Sequence, residues 1–386
     1  MKILVVDSDR ERAKKLREKV SERDATFQVV TADTTEGALR VLDLGLIDAV
    51  VTQEKLVDGS GPELLGKVAS SQPQVLRLLF LQAGAGVESP PVNSVAHQTL
   101  ALASDETALL MKLRQCARIR ELVVDPWLRK VVGQGDALPS PPKTLMALRR
   151  VLQKDDASAR EVASVIEQDP ALSASILRLA TSAYFGLPRK IHSVSEAVMY
   201  VGLNTVKGLA LSAKVFESFK LPAHCSFSLE GLQSHSLAVA QVARNLFDRA
   251  PKKDDAFLAG LFHDFGKLVL AARVPTMYAE VLRASADGQA PVHSVERELF
   301  GTTHSEVGAY LLALWGFPVD LVDAVLLHHT EFSTIGIELH LAVAVNFANQ
   351  LAKGRKIDAQ KEDTLKRAGV DVARGRWYAE EHRLIA

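Results

Sequence analysis

The stretch Ala256-Phe-Leu-Ala-Gly-Leu-Phe-His-Asp-Phe-Gly-Lys267 decides how the second half of this chain is read. It is a hydrophobic helical run that ends on adjacent imidazole and carboxylate donors, His263 and Asp264. Water is scarce in such a setting and an unpaired polar group is costly there, so something should satisfy both side chains. Outward from this dyad, histidines recur on apolar helical stretches in the order His235, His263-Asp264, His304, His328-His329. Taken singly, each would read as a hydrogen-bonded core or helix-end residue; the series as a whole is a metal-site pattern, since neutral imidazoles and carboxylates are metal donors. His97, His192, His224, His293, His340 and His382 match no position of the pattern and read as solvated or capping residues.

Length and composition bound the rest. With 386 residues and 47% hydrophobic content, the chain can form two or three domains, each with a core. Lysine plus arginine, 46, equals aspartate plus glutamate, 46, so no net field draws the chain onto nucleic acid or an anionic membrane surface. Neither is an expected partner. No unbroken apolar run approaches the roughly 18 residues of a membrane span, and the sequence opens directly on a strand-like run rather than a signal peptide. The only cysteines, Cys116 and Cys225, exclude a disulfide framework and suit a reducing cytoplasm, the expected location.

Lys2-Ile-Leu-Val-Val-Asp7 reads as a buried strand, followed by a charged helix from Arg10 to Val20, a strand from Phe27 to Thr31 and a helix from Glu36 to Leu44. Asp48-Ala-Val-Val-Thr52 and Leu76-Arg-Leu-Leu-Phe-Leu81 repeat the apolar strand pattern around a helix from Glu63 to Ala69, and Leu100 to Ala103 is a weaker fifth strand. Such alternation predicts a doubly wound α/β domain with a parallel sheet. Order and spacing over residues 1–122 resemble the response-regulator receiver domain, a flavodoxin-like fold. In that family an acidic pair after the first strand binds magnesium and an aspartate after the third accepts the phosphoryl group. Asp7 matches the first acid, Ser8 stands where the second belongs, with Asp9 one place further on, and Gln53 falls at the acceptor, where a neutral amide cannot act as the nucleophile. Gln82 replaces the switch hydroxyl, and no lysine lies between Val87 and Leu110. The resemblance is therefore to a degenerate receiver, its fourth helix short or lost over Gln82 to Gln98.

Asp105 to Leu122 has helical spacing, and Gly133-Gln-Gly-Asp-Ala-Leu-Pro-Ser-Pro-Pro142 marks a break, with a linker over residues 123–138. Beyond it no strand pattern appears. Lys143 to Leu152, Ala159 to Gln168, Ala171 to Ala180, Val194 to Val201 and Thr205 to Ser218 read as amphipathic helices, with Asp169-Pro170, Ser193-Val-Ser-Glu196 and Asn204 as start signals. Ile166-Glu-Gln-Asp-Pro-Ala-Leu-Ser-Ala-Ser-Ile-Leu-Arg-Leu-Ala-Thr-Ser-Ala-Tyr-Phe-Gly186 closely resembles the N-terminal helical signature of the HDOD family, as does Ile191 to Leu203, with Thr181 where the family usually has asparagine. The histidine series to about Thr330 resembles the HD superfamily of metal-dependent phosphohydrolases, of which HDOD is a mostly non-catalytic offshoot acting in bacterial signalling. The expected layout is an HDOD N-terminal helical subdomain over 139–220, an HD-like subdomain over 221–352 and a charged tail over 353–386.

The resemblance implies that His235, His263, Asp264, His304, His328 and His329 hold a divalent metal such as iron, manganese or magnesium, and that Lys267 faces a substrate phosphate. The family's last carboxylate falls at Asn346, an uncharged and weaker ligand. The Gly-Tyr-Pro element of cyclic di-GMP hydrolases is absent, because His328-His-Thr-Glu-Phe-Ser-Thr-Ile-Gly336 runs straight into the next helix. The expected function is a non-enzymatic signalling module whose partners are signalling proteins, with a nucleotide ligand and homodimerisation left open. The alternative is a metal-dependent phosphohydrolase acting on a nucleotide or cyclic dinucleotide.

Overall fold

The structure, a computed structural model, describes residues 1–81, 95–101, 113–114, 117 and 158–382, apart from 46, 73–74, 97, 186–190, 223–224, 249–251, 287–289, 316, 332–333, 336–339 and 356–358. The expectations for the loop after Leu81, the helix from Asp105, the linker, the helix from Lys143, His97 and His224 lie wholly or mostly outside the described residues. The chain divides into two compact units, Met1–Lys143 with Tyr310–Gly316, and Thr144–Ala309 with Phe317–Ala386.

In the first unit, β1 (Lys2–Val6), β2 (Gln28–Ala32), β3 (Ala49–Gln53), β4 (Leu76–Leu81) and β5 (Gln98–Ala101) form one parallel sheet in the order β2-β1-β3-β4-β5. The central strands are continuous apolar runs because both faces of a parallel sheet are covered; Leu4 and Val50 pair in register and both are fully buried. Helices α1 (Arg10–Arg23), α2 (Thr35–Asp43) and α3 (Gly61–Ser71) make the crossovers. Leu64, Leu65 and Val68 of α3 join Leu4, Val6, Val50 and Leu79 in one core. Each helix starts on a side-chain cap: Asp9 accepts from Glu11 and Arg12 N–H, Thr34 from Gly37 N–H, and Ser60 from Glu63 N–H.

The described part of the second unit is helical. It runs through α4 (Ala159–Glu167), α5 (Pro170–Ala180), α6 (Val194–Val201), α7 (Leu203–Glu217), α8 (Leu229–Asn245), α9 (Lys252–Phe262), α10 (Phe265–Arg273), α11 (Pro275–Ala286) and α12 (Val292–Phe300). The start of α13 (His304–Leu314), whose residues from Tyr310 on are grouped with the first unit, and α14 (Val319–Leu327), α15 (His340–Ala352), α16 (Ala359–Arg367) and α17 (Val372–Glu381) complete it. Asp169 caps α5 through Leu172 N–H at 3.0 Å with Pro170 in the first turn, as its sequence signals. Ser193 caps α6, but its partner Glu196 accepts from His192 N–H and not from Ser193, so the box is only half formed there. Asn204 does not cap α7. Gly202, at φ 90°, holds the cap position, and the Asn204 amide instead donates to Asp254 at 2.8 Å. The reason is that the turn after α6 needs a left-handed residue, which moves the start of α7 ahead of Asn204.

α8 lies against α9, α15 and α17. The tail helix α17 is therefore packed, burying Val372, Gly375 and Ala379, and Tyr378 donates to the Tyr184 carbonyl at 3.2 Å. Phe262 and Phe265, on either side of the His-Asp dyad, meet edge to face with centroids 6.3 Å apart, and Phe216 and Phe219 pack edge to face on Phe265.

Candidate metal centre

His263 and Asp264 occupy the two-residue break between α9 and α10, and two glycines decide what reaches them. A Cβ on Gly260 would stand 2.5 Å from Ala240 Cα, so α9 and α8 are in backbone contact, which brings His235 of α8 alongside. A Cβ on Gly266 would stand 1.9 Å from the His304 carbonyl oxygen, so the start of α13 lies directly on α10. His328, the C-cap of α14, and His329 close the group.

The result is two sets of donors sharing Asp264: Asp264, His304, His328 and His329 in one, His235, His263 and Asp264 in the other. Within each set the donor atoms lie within 4.8 Å of one another. His304 Nε2 is 3.1 Å from Asp264 Oδ1, 3.3 Å from His328 Nε2 and 3.0 Å from His329 Nε2. His235 Nε2 is 3.7 Å and His263 Nε2 3.4 Å from Asp264 Oδ2. The geometry brings together all six sequence-predicted ligands.

Second partners fix which nitrogen faces inward. His263 Nδ1 lies 2.8 Å from the Gly260 carbonyl and His328 Nδ1 2.6 Å from that of Val325, so each ring donates Nδ1–H to the backbone and turns the Nε2 lone pair to the centre. His304 Nδ1 is 2.6 Å from Glu296, a fully buried carboxylate that also accepts from the His304 backbone N–H and from the Tyr278 hydroxyl. This carboxylate–imidazole arrangement is the usual outer support of a metal-binding histidine.

Burial pulls His235 down to about 3 and holds His328 and His329 below the imidazole range, leaving them in the neutral form that coordinates metal. Burial is the largest influence on His304 and lowers it, but the field of Glu296 and the hydrogen bonds to Asp264 and Glu296 together outweigh it and the ring is raised. For Asp264 burial works upward, yet the fields of His263 and Lys267 more than reverse it, and the carboxylate stays well below its usual range. Buried His263 Nε2 and Asp264 Oδ1 have no hydrogen-bond partner, and three Nε2 atoms converge with His304 in the middle. Converging lone pairs and orphaned donors at these distances are what a divalent cation would satisfy, so the residues fit a metal.

Three expectations change. Asn346 does not face the cluster as a ligand: its amide donates to the Leu327 and Thr330 carbonyls and its Oδ1 accepts from Gln350 at 2.6 Å, bracing the double-histidine turn. One turn further along α15, Asn349 Oδ1 lies 3.1 Å from His235 Nε2, and it is this amide that stands beside the ligands. The three-residue error is a helical phase error, since both asparagines are buried and share a face. Lys267 is bonded to Asp264 Oδ2 at 2.6 Å, its charge spent on the dyad carboxylate. His293, set aside in sequence, stacks on His329 with centroids 4.1 Å apart and planes 19° apart. The available signal for it and for Glu296 was their one-turn spacing on α12, which puts both on one face.

In the first unit, Gln53 stands at the carboxyl end of β3 and does not face an open acidic site. Arg12 Nε and Nη2 each lie 2.6 Å from an Asp7 oxygen, and Nη2 is 2.5 Å from Gln53 Oε1. The Asp9 side chain caps α1 while its backbone N–H donates to Asp7 Oδ1 at 2.9 Å, and Ser8 Oγ accepts from Val57 N–H.

An all-helical domain with a buried histidine–aspartate cluster at a helix break is an HD-type domain. The HDOD domain family matches residues 138–331, half the chain, and the chain belongs to that family. An uncharacterized protein of Treponema pallidum (strain Nichols) is 26% identical over 202 residues, 52% of this chain and 39% of its own length, so the chain spans well under half of that relative. Among solved structures, a candidate phosphohydrolase from Shewanella amazonensis SB2B is 27% identical, with a TM-score of 0.54 over 67% of this chain and 94% of its own. An HDOD domain protein of unknown function from Geobacter sulfurreducens is 23% identical, with a TM-score of 0.53 over 71% of this chain and 94% of its own. A candidate signal transduction protein from Marinobacter aquaeolei VT8 is 20% identical, with a TM-score of 0.54 over 76% and 68%. The last two show the shared fold alone. Among the described residues no helix is long and apolar enough to cross a membrane.

Proposed function

We propose that this protein is a non-enzymatic signalling module in which a receiver-like domain without phosphoryl chemistry is coupled to an HDOD domain that recognises a ligand or a signalling partner. The observation that carries the reading is the amide of Asn349 beside His235, where a metal-activating site of this type uses a carboxylate. An uncharged oxygen leaves a bound divalent ion more positive but more weakly held. His235, His263, Asp264, His304, His328 and His329 would hold the ion. So imidazole-rich a set suits iron or manganese better than magnesium. Bound there, a metal would supply Lewis acidity toward an oxygen ligand. The protein's own groups orient the donors and keep bulk water from the buried dyad.

The strand order of the first unit, with the chain's second strand at one edge and β1 next to β3, is that of flavodoxin-like receivers, and it supports the receiver-like reading. Arg12 takes the place beside Asp7 where such a domain would hold a cation, and Gln53 offers no nucleophile. Signals then enter by contact with a partner, not by phosphorylation.

The second reading, a metal-dependent phosphohydrolase, is favoured by the sharing of Asp264 between the two donor sets, the arrangement of a two-metal site, and by the name given to the Shewanella protein. Metal analysis of protein purified without chelators, followed by assays on cyclic dinucleotides and nucleoside phosphates with added manganese or iron, separates the two. The module reading expects no turnover. Steady turnover that disappears in His263→Ala and Asp264→Ala overturns it in favour of the hydrolase.

A further inference from the structure

Beside the histidine cluster, α15 ends in a cavity of about 60 Å³ whose lining, among the described residues, contains no carboxylate. Lys353, Arg355, His293, His329, Asn349 and Gln350 line it, and His328 and Asn346 complete the wall. Its charged residues are thus a lysine and an arginine, and the rest are imidazoles and amides able to donate N–H. The chain builds this deliberately. After α15 the backbone reverses at Gly354, φ 65°, and Arg355 N–H returns to the Gln350 carbonyl at 3.0 Å, which places Lys353 and Arg355 on the same cavity as Gln350. Among the described residues, neither cation has an ion-pair partner. His293 reaches the cavity from α12 and is held by its stack on His329.

We infer that this cavity is an anion site that takes the phosphate of a small phosphorylated ligand, with Lys353 and Arg355 as its cations and the His293 ring as a hydrogen-bond donor. The inference rests on the reading of the cluster as a recognition site and names the chemistry of what is recognised. Two cations with amide and imidazole donors, and no acid among the described lining residues, match a multiply charged tetrahedral oxyanion. The cavity's open space of about 60 Å³, several times the roughly 10–15 Å³ that one water needs, admits a phosphate but not a macromolecular segment. Because the cations are side chains, the site does not require a metal.

Calorimetric titration of the full-length protein, first stripped of metal with chelator and then reloaded with manganese, tests this with inorganic phosphate, guanosine 5′-monophosphate and guanosine. The metal-free protein should bind phosphate and the nucleotide but not the nucleoside, and Lys353→Gln with Arg355→Gln should weaken both by roughly tenfold or more, as expected for lost charge-assisted hydrogen bonds. Lys353→Arg should restore most of the affinity of a Lys353→Gln protein. Binding of phosphate without the nucleotide would identify free phosphate as the ligand and still support the site. The inference is overturned if neither anion binds at millimolar concentration, if guanosine binds as well as its monophosphate, or if the double variant leaves affinity unchanged. Anion binding that appears only after manganese loading and survives the double variant would place the anion on the metal: it would sink the cavity site while leaving the metal centre standing. Metal content, measured on the same samples, reports on that centre independently.

Discussion

Replacing Gly266 by alanine tests the contact that assembles the cluster. From 1.9 Å, reaching the 3.0 Å floor of real Cβ contacts takes a shift of at least 1.1 Å between α10 and the start of α13. The opposing atoms are the His304 carbonyl carbon and oxygen and the Gly308 nitrogen, all backbone, so no rotamer change relieves the clash. Overpacking costs about 1–3 kcal/mol where side chains can adjust; a backbone collision belongs at the upper end, about 3 kcal/mol. For a domain of this size that lowers the melting temperature by roughly 6–12 °C. The same shift carries His304 Nε2 away from its 3.1 Å approach to Asp264, so metal content should fall with stability. The sign makes the test sharp. Gly266 lies within a helix, where alanine is intrinsically favoured over glycine by up to about 1 kcal/mol, so without the close approach the substitution would stabilise. Gly301→Ala is the control: its φ of 68° costs about 1–2 kcal/mol, but no atom lies within 4 Å of the added carbon, and metal content should not change. Urea denaturation with elemental analysis of both variants reads the outcome. A Gly266→Ala protein as stable as its parent, with undiminished metal, would refute the geometry.

Asn349→Asp should raise metal occupancy in elemental analysis, whereas Asn346→Asp should not, and should instead destabilise by about 1–3 kcal/mol by setting a carboxylate against the Leu327 and Thr330 carbonyls. Equal gains in occupancy would show that the two asparagines have been given the wrong roles. Incubation of the whole protein with acetyl phosphate should add no phosphoryl mass, and Arg12→Ala should cost only about 1 kcal/mol in the first unit, because the Arg12 side chain is 40% exposed and its pairing with Asp7 is partly screened. In the second unit, Lys214 lies 2.5 Å from Asp169, lowering the carboxylate, mainly through their hydrogen bond, and raising the ammonium against the effect of its own burial. That contribution is present above the unfolded carboxylate range and is lost as pH falls through the folded one. Urea midpoints should decline on acidification, and Lys214→Met should make the decline shallower; an unchanged slope would mean the pair does not stabilise the fold.

The sequence by itself determined the elements and the cast of the cluster. The apolar runs of β1, β3 and β4 and the cap signals at Asp169 and Ser193 act within a few residues, so their effects are local and legible. The histidine series was legible for a different reason: each donor type is rare on an apolar helical stretch, and the six together had a spacing. Tertiary structure decided the rest. Whether Asn346 or Asn349 meets His235 depends on how α15 is rotated against α8, an angle set by packing along the whole interface and invisible in a one-dimensional pattern. Glu296 and His293 belong to a helix with no donor in the series, and only the fold of α12 onto the cluster gives them partners. Arg12 beside Gln53 and the reversal at Gly354 that sets Arg355 beside Lys353 are likewise long-range or conformational outcomes. The chain names its donors; the backbone contacts at Gly260 and Gly266, possible only without a Cβ, decide that they share one site.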